Sequence, residues 1–228
     1  MENGSSKAAV AEFVGTFALI FFGAGSIIAV QGQDLLAIAL AHGLTIAIMV
    51  SCMAHVSGGV FNPAIQIALL VTGKMSPARS AIQIVAQLLG AVAAAYTLKY
   101  LAPSAAFDAV DGGIPAVAAG YASGKAVLVE AVTTFFLVWA VFATAIDPRG
   151  TFSSIAGLAI GLTISLAILA TGPLTGAALN PARWFGPALA TTDWTNAWVW
   201  IVGPVCGGVI AGVTYWFVFL KDEEMATP

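Results

Sequence analysis

The sequence is poor in charged residues. Aspartate, glutamate, lysine and arginine make up only 8% of its 228 residues, whereas soluble domains carry about 25%. Hydrophobic residues make up 60% of the chain, and its mean hydropathy is +0.96. This composition excludes an ordinary soluble domain and predicts an integral membrane protein. The 8 lysines and arginines form no basic cluster, so we expect no nucleic-acid partner.

Cysteine and histidine are also scarce, with 2 of each. Cys52 and Cys206 both lie within long apolar runs, where a free cysteine behaves as a small hydrophobic residue. We therefore predict that both are buried and that neither forms a disulfide or a metal site. The sequence also lacks a nucleophile–base pair, a metal-ligand spacing and a phosphate-binding loop. We expect neither enzymatic activity nor a bound metal or cofactor.

The chain is instead rich in continuous apolar segments. A spanning β-barrel would show alternating segments of about ten residues, whereas a spanning helix needs about 20 apolar residues in a row. We predict six spanning helices, at about Ala8–Val30, Leu35–Ala54, Ala78–Leu101, Gly124–Ile146, Phe152–Ala170 and Ala197–Leu220. Two more apolar segments, Asn62–Thr72 and Asn180–Ala190, are too short to cross a bilayer. The expected fold class is an all-α integral membrane protein with six transmembrane helices and two re-entrant half-helices.

The sequence repeats itself at an offset of 118 positions (180 − 62). This offset relates the tripeptide Asn62-Pro63-Ala64 to Asn180-Pro181-Ala182, Glu12 to Glu130, and Gly43–Ile46 to Gly161–Ile164. We predict one membrane domain made of a first repeat, residues 1–110, and a second repeat, residues 111–228. Three spans per repeat is an odd number, so the second repeat is expected to enter the membrane from the opposite side. Inverted repeats of this kind place a site at the midplane between the halves.

Each Asn-Pro-Ala tripeptide predicts the start of a helix. Asparagine is a strong N-cap, and proline fits the first helical position, where its missing N–H is not needed. A half-helix that begins inside the membrane has unpaired N–H groups and a partial positive charge of about +0.5 at its tip. Backbone of this kind is tolerated only where it is buried in protein or lines a water-filled cavity. The sequence therefore predicts a narrow wet pore in which Asn62 and Asn180 donate hydrogen bonds and cations are repelled.

Arg183 follows the second tripeptide directly. An arginine inside a membrane is costly and usually faces a cavity, so we expect Arg183 to line the pore. Glu12 and Glu130 allow two interpretations. They could form a proton relay in a coupled transporter, or they could accept hydrogen bonds from the irregular backbone before each half-helix. Their repetition in phase with the tripeptides favours the structural role.

Taken together, the two in-phase Asn-Pro-Ala motifs, the repeated glutamates and the segments HVSGG (His55–Gly59) and TGAALNPAR (Thr175–Arg183) resemble the aquaporin (major intrinsic protein) family. The resemblance covers essentially the whole chain. It implies a passive water channel in the lipid bilayer and a homotetramer with a pore in each protomer. We assign Glu12, Glu130 and His55 to support of the two loops that precede the half-helices.

The resemblance also places an outer constriction, or selectivity filter, at four residues: His42, Ile168, Ala177 and Arg183. This set resembles the filters of some plant tonoplast intrinsic proteins, whereas water-strict members usually have phenylalanine and histidine at the first two positions. Because Ile168 offers an aliphatic wall, a broader channel for ammonia, hydrogen peroxide or glycerol is an alternative.

Other positions bear on the choice between water and glycerol. Ala188 and the pair Tyr215-Trp216 resemble the water-channel subgroup, while Trp184 matches neither the water nor the glycerol pattern. Less favoured alternatives are a proton-coupled transporter and a structural membrane protein. Protonation of His42 or His55 would add positive charge, which makes pH-dependent passage a further hypothesis.

The distribution of basic residues predicts the orientation of the chain. Cytoplasmic loops carry an excess of lysine and arginine. With a cytoplasmic N-terminus, five basic residues face the cytoplasm and two face the opposite side, the five being Lys7, Lys74, Arg79, Arg149 and Lys221 and the two being Lys99 and Lys125. We therefore expect a multi-pass membrane protein with both termini in the cytoplasm.

Overall fold

Long apolar helices form most of the protein. The computed structural model describes residues 2–150 and 153–221, and over these ranges it contains nine α-helices and no β-strand. The helices are α1 (Glu2–Ala29), α2 (Leu35–Ser57), α3 (Pro63–Val71), α4 (Pro77–Leu101), α5 (Ser104–Asp108), α6 (Ser123–Val141), α7 (Ala156–Thr175), α8 (Pro181–Thr191) and α9 (Val199–Tyr215). Helices α6 and α9 each continue in a π-helical turn, at Phe142–Ile146 and Trp216–Leu220.

Six of these helices are long and apolar enough to cross a membrane: α1, α2, α4, α6, α7 and α9. The predicted fold class is confirmed. Helices α3 and α8 are the two short helices that the sequence places directly after Asn62 and Asn180.

The second and fifth spans end later than predicted, by three and five residues (57 − 54 and 175 − 170). Helix α2 continues to Ser57 and α7 continues to Thr175, and each ends where a glycine adopts a left-handed conformation, at Gly58 (φ 100°) and Gly176 (φ 77°). Helix α7 accommodates Pro173 in its last turn, so proline does not end it. The expected start of the fifth span at Phe152 and the charged tail after Lys221 lie outside the described residues.

The packing joins the two halves of the chain. Helix α1 lies along α4 and α6 lies along α9, while α2 lies along α7 and joins the halves. The short helix α3 packs on α9, and α8 packs on α4. Each half-helix is therefore held by the last spanning helix of the other half, which brings the starts of α3 and α8 to the centre of the bundle.

The contact between α2 and α7 depends on two glycines. A Cβ atom on Gly161 would overlap the carbonyl oxygen of Gly43, and one on Gly43 would lie 2.5 Å from the carbonyl oxygen of Gly161. The two backbones can approach this closely only because neither residue has a side chain. Small residues serve the same purpose in many membrane-helix contacts.

The predicted burial of the two cysteines is wrong. Cys52 on α2 and Cys206 on α9 are both free and exposed. They share the outer surface with large apolar residues such as Ile48 and Ile210. The outside of a spanning helix faces lipid, which is as apolar as the protein interior, so hydrophobicity does not distinguish the two positions.

Candidate functional site

Asn62 and Asn180 cap the two half-helices. The side-chain oxygen of Asn62 accepts a hydrogen bond of 2.8 Å from the backbone N–H of Ala64. That of Asn180 accepts from Ala182 at 2.9 Å and from Arg183 at 3.3 Å. In both helices a proline, Pro63 or Pro181, occupies the first position.

Each asparagine also reaches across to the opposite loop. The amide nitrogen of Asn62 donates to the carbonyl of Leu179 at 2.9 Å, and that of Asn180 donates to the carbonyl of Phe61 at 2.9 Å. Phe61 and Leu179 have positive φ angles of 49° and 53°, an unusual conformation for residues with large side chains, which costs of order 1–3 kcal/mol. The reciprocal hydrogen bonds hold the two helix tips together in the middle of the protein.

Glu12 is fully buried and accepts four hydrogen bonds next to the loop that precedes the first half-helix. Two come from the backbone N–H groups of Val60 and Phe61, at 3.0 and 2.6 Å. Two come from side chains, the hydroxyl of Ser57 at 2.6 Å and the amide of Gln87 at 2.7 Å. The carboxylate thereby satisfies donors that lipid could not satisfy.

Glu130 has the same place beside the second half-helix and is also fully buried. It accepts hydrogen bonds from the backbone N–H groups of Ala178 and Leu179 at 3.0 and 2.8 Å and from the hydroxyl of Thr175 at 2.7 Å. The two carboxylates are related by the repeat, yet Glu130 lacks a counterpart to the amide of Gln87 among the described residues.

A cavity of about 310 Å³ runs past both asparagines. One end is lined by His42, Ala177 and Arg183, and the other by the neighbours Lys74 and Met75 and by residues 144–146. The lining between them is mainly aliphatic and includes residues 58–60 and 177–179, which belong to the loops before the two half-helices. The arrangement is a cavity with mainly apolar walls and a few polar groups, which suits small uncharged molecules that form hydrogen bonds.

Arg183 is 97% buried, with a relative exposure of 3%. Its Nη1 donates to the carbonyl of Gly113 at 2.8 Å, while its Nε has no partner. Among the described residues no carboxylate forms a salt bridge with it. The positive charge of the guanidinium is therefore not offset by a paired carboxylate at this end of the cavity.

His42 lies at the same end of the cavity. Its Nδ1 donates to the carbonyl of Ile38 at 2.8 Å, and its buried Nε2 has no partner. A neutral imidazole with its proton on Nδ1 can accept a hydrogen bond at Nε2. Gly23 on α1 makes room for the ring, because a Cβ atom there would lie 2.6 Å from His42.

The structure separates the other two predicted filter residues. Ala177 lines the cavity, has a positive φ of 43° and donates its N–H to the hydroxyl of Thr175 at 3.2 Å. Ile168 on α7 is buried, but within the described part of the chain the cavity is lined by Ile164, one turn earlier, and not by Ile168.

The assignment of His55 to loop support is corrected by the structure. His55 is exposed near the end of α2, and over residues 2–150 and 153–221 no hydrogen bond joins it to the loop. The carbonyl of Ser57 accepts hydrogen bonds from Arg79 and Gln83 instead, both at 2.9 Å. The helical rotation between residues 55 and 57 turns Ser57 towards α4 and leaves His55 on the outside.

Sequence reasoning missed several residues that hold the site. Gln83 and Gln87 are spaced one turn apart on the apolar helix α4, and this spacing of polar residues within a span could have identified them. Gly113 lies in a loop that the sequence marks only as irregular, and Trp200 lies in an apolar run with no signal of its own. Within the described residues, no group of three or more histidine, cysteine, aspartate or glutamate side chains could hold a metal ion.

Comparison with known proteins agrees with this geometry. Residues 2–215 match the family described as Major intrinsic protein. The chain is 43% identical to Aquaporin TIP4-4 of Zea mays, over 97% of this chain and 90% of the relative. It is 41% identical to Aquaporin TIP2-1 of Arabidopsis thaliana, over 96% and 90%. It is 39% identical to Aquaporin-4 of Mus musculus, over 96% and 69%.

A solved structure has the same fold. The aquaglyceroporin from Plasmodium falciparum superposes with a TM-score of 0.86, at 24% identity, over 97% of this chain and all of that chain. Two capped half-helices that meet at a buried cavity, together with the match over residues 2–215, establish that this chain belongs to the major intrinsic protein (aquaporin) family.

Proposed function

We propose that this chain is a passive water channel that excludes ions and protons. The observation that carries the proposal is the pair of reciprocal hydrogen bonds between Asn62 and Leu179 and between Asn180 and Phe61. An amide nitrogen has two N–H groups, so each asparagine keeps one donor for a molecule in the cavity that both line. The relatives are named aquaporins, which supports the same function.

The electrostatics of the cavity favour water over cations. The tips of α3 and α8 each carry a partial positive charge of about +0.5, and Arg183 adds a full charge at one end. A hydrated cation would lose its water shell against the aliphatic wall and meet these positive groups. Water loses less, because it can exchange hydrogen bonds with asparagine donors and backbone carbonyls along the path.

The outer constriction is inferred to consist of His42, Ile168, Ala177 and Arg183. His42, Ala177 and Arg183 lie at one end of the cavity, and the Nε2 of His42 and the Nε of Arg183 are buried there without a hydrogen-bond partner. Ile168 is assigned by resemblance to the family. The aliphatic character of the walls makes ammonia, hydrogen peroxide and glycerol the solutes to compare with water.

A proton-coupled transporter is less well supported. Both oxygens of Glu12 and of Glu130 accept hydrogen bonds from backbone N–H groups. A carboxylate whose two oxygens satisfy buried backbone donors has a structural role that requires no proton transfer. We infer that both are structural acceptors.

The cellular arrangement is inferred from the family and the charges. We infer a homotetramer with both termini in the cytoplasm, residues 1–110 and 111–228 forming inverted repeats. The relatives with TIP in their names favour the tonoplast as the membrane.

Stopped-flow light scattering of proteoliposomes tests the function. Shrinkage in a sucrose gradient measures water passage, and re-swelling in a glycerol gradient measures polyol entry. We expect fast water passage and slow glycerol entry, and we expect Arg183→Ala to increase glycerol entry. Vesicles that shrink no faster than empty ones would overturn the proposal, and rapid glycerol entry would replace it with a broader solute channel.

A further inference from the structure

The carbonyl group at the end of each long helix before a half-helix is held by a side chain from another helix. In the first half this is the carbonyl of Ser57, the last residue of α2, which accepts from Gln83 and Arg79 on α4. In the second half it is the carbonyl of Thr175, the last residue of α7, which accepts from the indole nitrogen of Trp200 on α9 at 3.1 Å. In the second half, the indole N–H of Trp200 thus takes the place of the guanidinium and amide donors of the first half.

Trp200 in turn stacks on Trp184. Their ring centroids are 6.1 Å apart and their planes differ by 14°, a favourable aromatic geometry. Both are nearly fully buried, with relative exposures of 2% and 3%. Trp184 is the residue after Arg183, and it occupies the position that Gln66 has in the first half (184 − 66 = 118).

The indole nitrogen of Trp184 has no hydrogen-bond partner, so this ring contributes through packing. It packs against α9 on one side of α8, while Arg183 faces the cavity and binds Gly113. Packing on one side of a short helix fixes its rotation about its own axis. The stack with Trp200 therefore restrains the rotation of α8, on which Arg183 lies.

Thr175 connects Trp200 to Ala177. Its hydroxyl donates to Glu130 and accepts from the N–H of Ala177 at 3.2 Å, while its carbonyl is held by Trp200. Ala177 has a strained positive φ, and such a conformation persists only where its surroundings impose it. Trp200 is therefore part of what holds Ala177 against the cavity.

We propose that Trp184 and Trp200 are positioning residues that set the width of the outer constriction and so determine solute selectivity. They act through Arg183 and Ala177, and neither touches the passing molecule. The proposal rests on the proposed function, because it assumes that the cavity conducts water past these two residues.

Trp200→Phe is the test variant. It keeps an aromatic ring in the stack but removes the donor to Thr175. Loss of one buried hydrogen bond shifts a conformational equilibrium constant by about fivefold. We expect the ratio of glycerol to water permeability in proteoliposomes to rise by about fivefold, with water permeability retained. Trp184→Phe, which shortens the stacked ring, is expected to shift the same ratio in the same direction.

Two control variants separate positioning from general loosening. Trp198→Phe makes the same change at an exposed tryptophan just before α9 and is expected to leave the ratio unchanged. Gln83→Leu removes a donor to Ser57, the equivalent carbonyl of the first half. That loop lies away from His42, Ala177 and Arg183, so we expect it to lower water permeability without changing the ratio.

The outcomes distinguish the two proposals. Wild-type vesicles that conduct no water would overturn the proposed function and this inference together. If the wild type conducts water but the ratio of glycerol to water permeability is unchanged in both Trp200→Phe and Trp184→Phe, this inference alone is overturned. So would variants that fail to fold or that lose water and glycerol passage in equal proportion, since the tryptophans would then serve stability and not selectivity.

Discussion

The hydroxyl group of Tyr215 donates a hydrogen bond of 3.0 Å to the carboxylate of Asp147. Asp147 also accepts from the guanidinium of Arg149 at 2.8 and 2.9 Å, and Arg149 donates to the carbonyl of Phe219 at 2.7 Å. These contacts tie the turn between α6 and α7 to the end of α9. Because residues 144–146 line the cavity just before this turn, the cluster stabilises that mouth of the path.

We predict that acid weakens this cluster. Hydrogen bonds from Arg149 lower the pKa of Asp147 from 3.8 to about 2. A carboxylate whose pKa is lowered on folding stabilises the protein above its unfolded pKa, and this contribution is lost as the pH falls from about 3.8 to about 2. The unfolding temperature of the detergent-solubilised protein should fall across that window, and should fall less in Asp147→Asn. An equal decrease in both proteins would contradict the prediction.

Replacing either asparagine by aspartate should weaken the exclusion of cations. In Asn62→Asp and Asn180→Asp the donor to Leu179 or Phe61 is lost, and a negative charge offsets the positive tip of the half-helix. We expect both variants to leak protons, which can be measured with a pH-sensitive dye inside vesicles under an imposed pH gradient. Vesicles as tight as the wild type would show that the tips are not the barrier.

Replacement of the buried glutamates by glutamine should destabilise the protein. In Glu12→Gln and Glu130→Gln an NH₂ group replaces an oxygen that accepts from backbone N–H groups, and an unsatisfied buried donor costs about 1–3 kcal/mol. Thermal unfolding should show a larger loss for Glu12→Gln, because Glu12 accepts four hydrogen bonds and Glu130 three. Unchanged stability together with loss of proton-driven uptake would favour the transporter interpretation.

The close approach of α2 and α7 predicts intolerance of a side chain at Gly161. Gly161→Ala would place a Cβ atom against the carbonyl of Gly43, and forced overpacking of this kind costs about 1–3 kcal/mol. Gly124→Ala is the matched control, because nothing lies within 4 Å of a Cβ atom there. We expect a lower unfolding temperature for Gly161→Ala only. Equal unfolding temperatures for the two variants would mean that α2 and α7 can move apart without a loss of stability.

Mercurial reagents should inhibit the channel only weakly. Cys52 and Cys206 are both exposed on the outer surface, away from the cavity, where Ala177 lines the wall. We expect Ala177→Cys to make water passage sensitive to mercury chloride in the stopped-flow assay. Strong block of the wild type that Cys52→Ala or Cys206→Ala removes would place one of these thiols at the path.

Much of the site could be predicted because its signals are local. Asparagine and proline start a helix through contacts within a few residues, so the starts of α3 and α8 were found from the tripeptides. The repeat of Glu12 as Glu130 predicts a common role for the two carboxylates. His55 was assigned wrongly, because its place in the HVSGG segment does not tell which face of α2 turns towards α4.

The sequence by itself determined the membrane class, the six spans, the two capped half-helices and their duplication, since hydropathy and capping depend on neighbouring residues. Tertiary structure alone decided three other features. Asn62 and Asn180 pair with the carbonyls of the opposite loop, Trp200 holds Thr175, and the cysteines face outward. The physical reason is twofold. These contacts join residues far apart in the chain, and in a membrane protein the core and the lipid-facing surface are equally apolar.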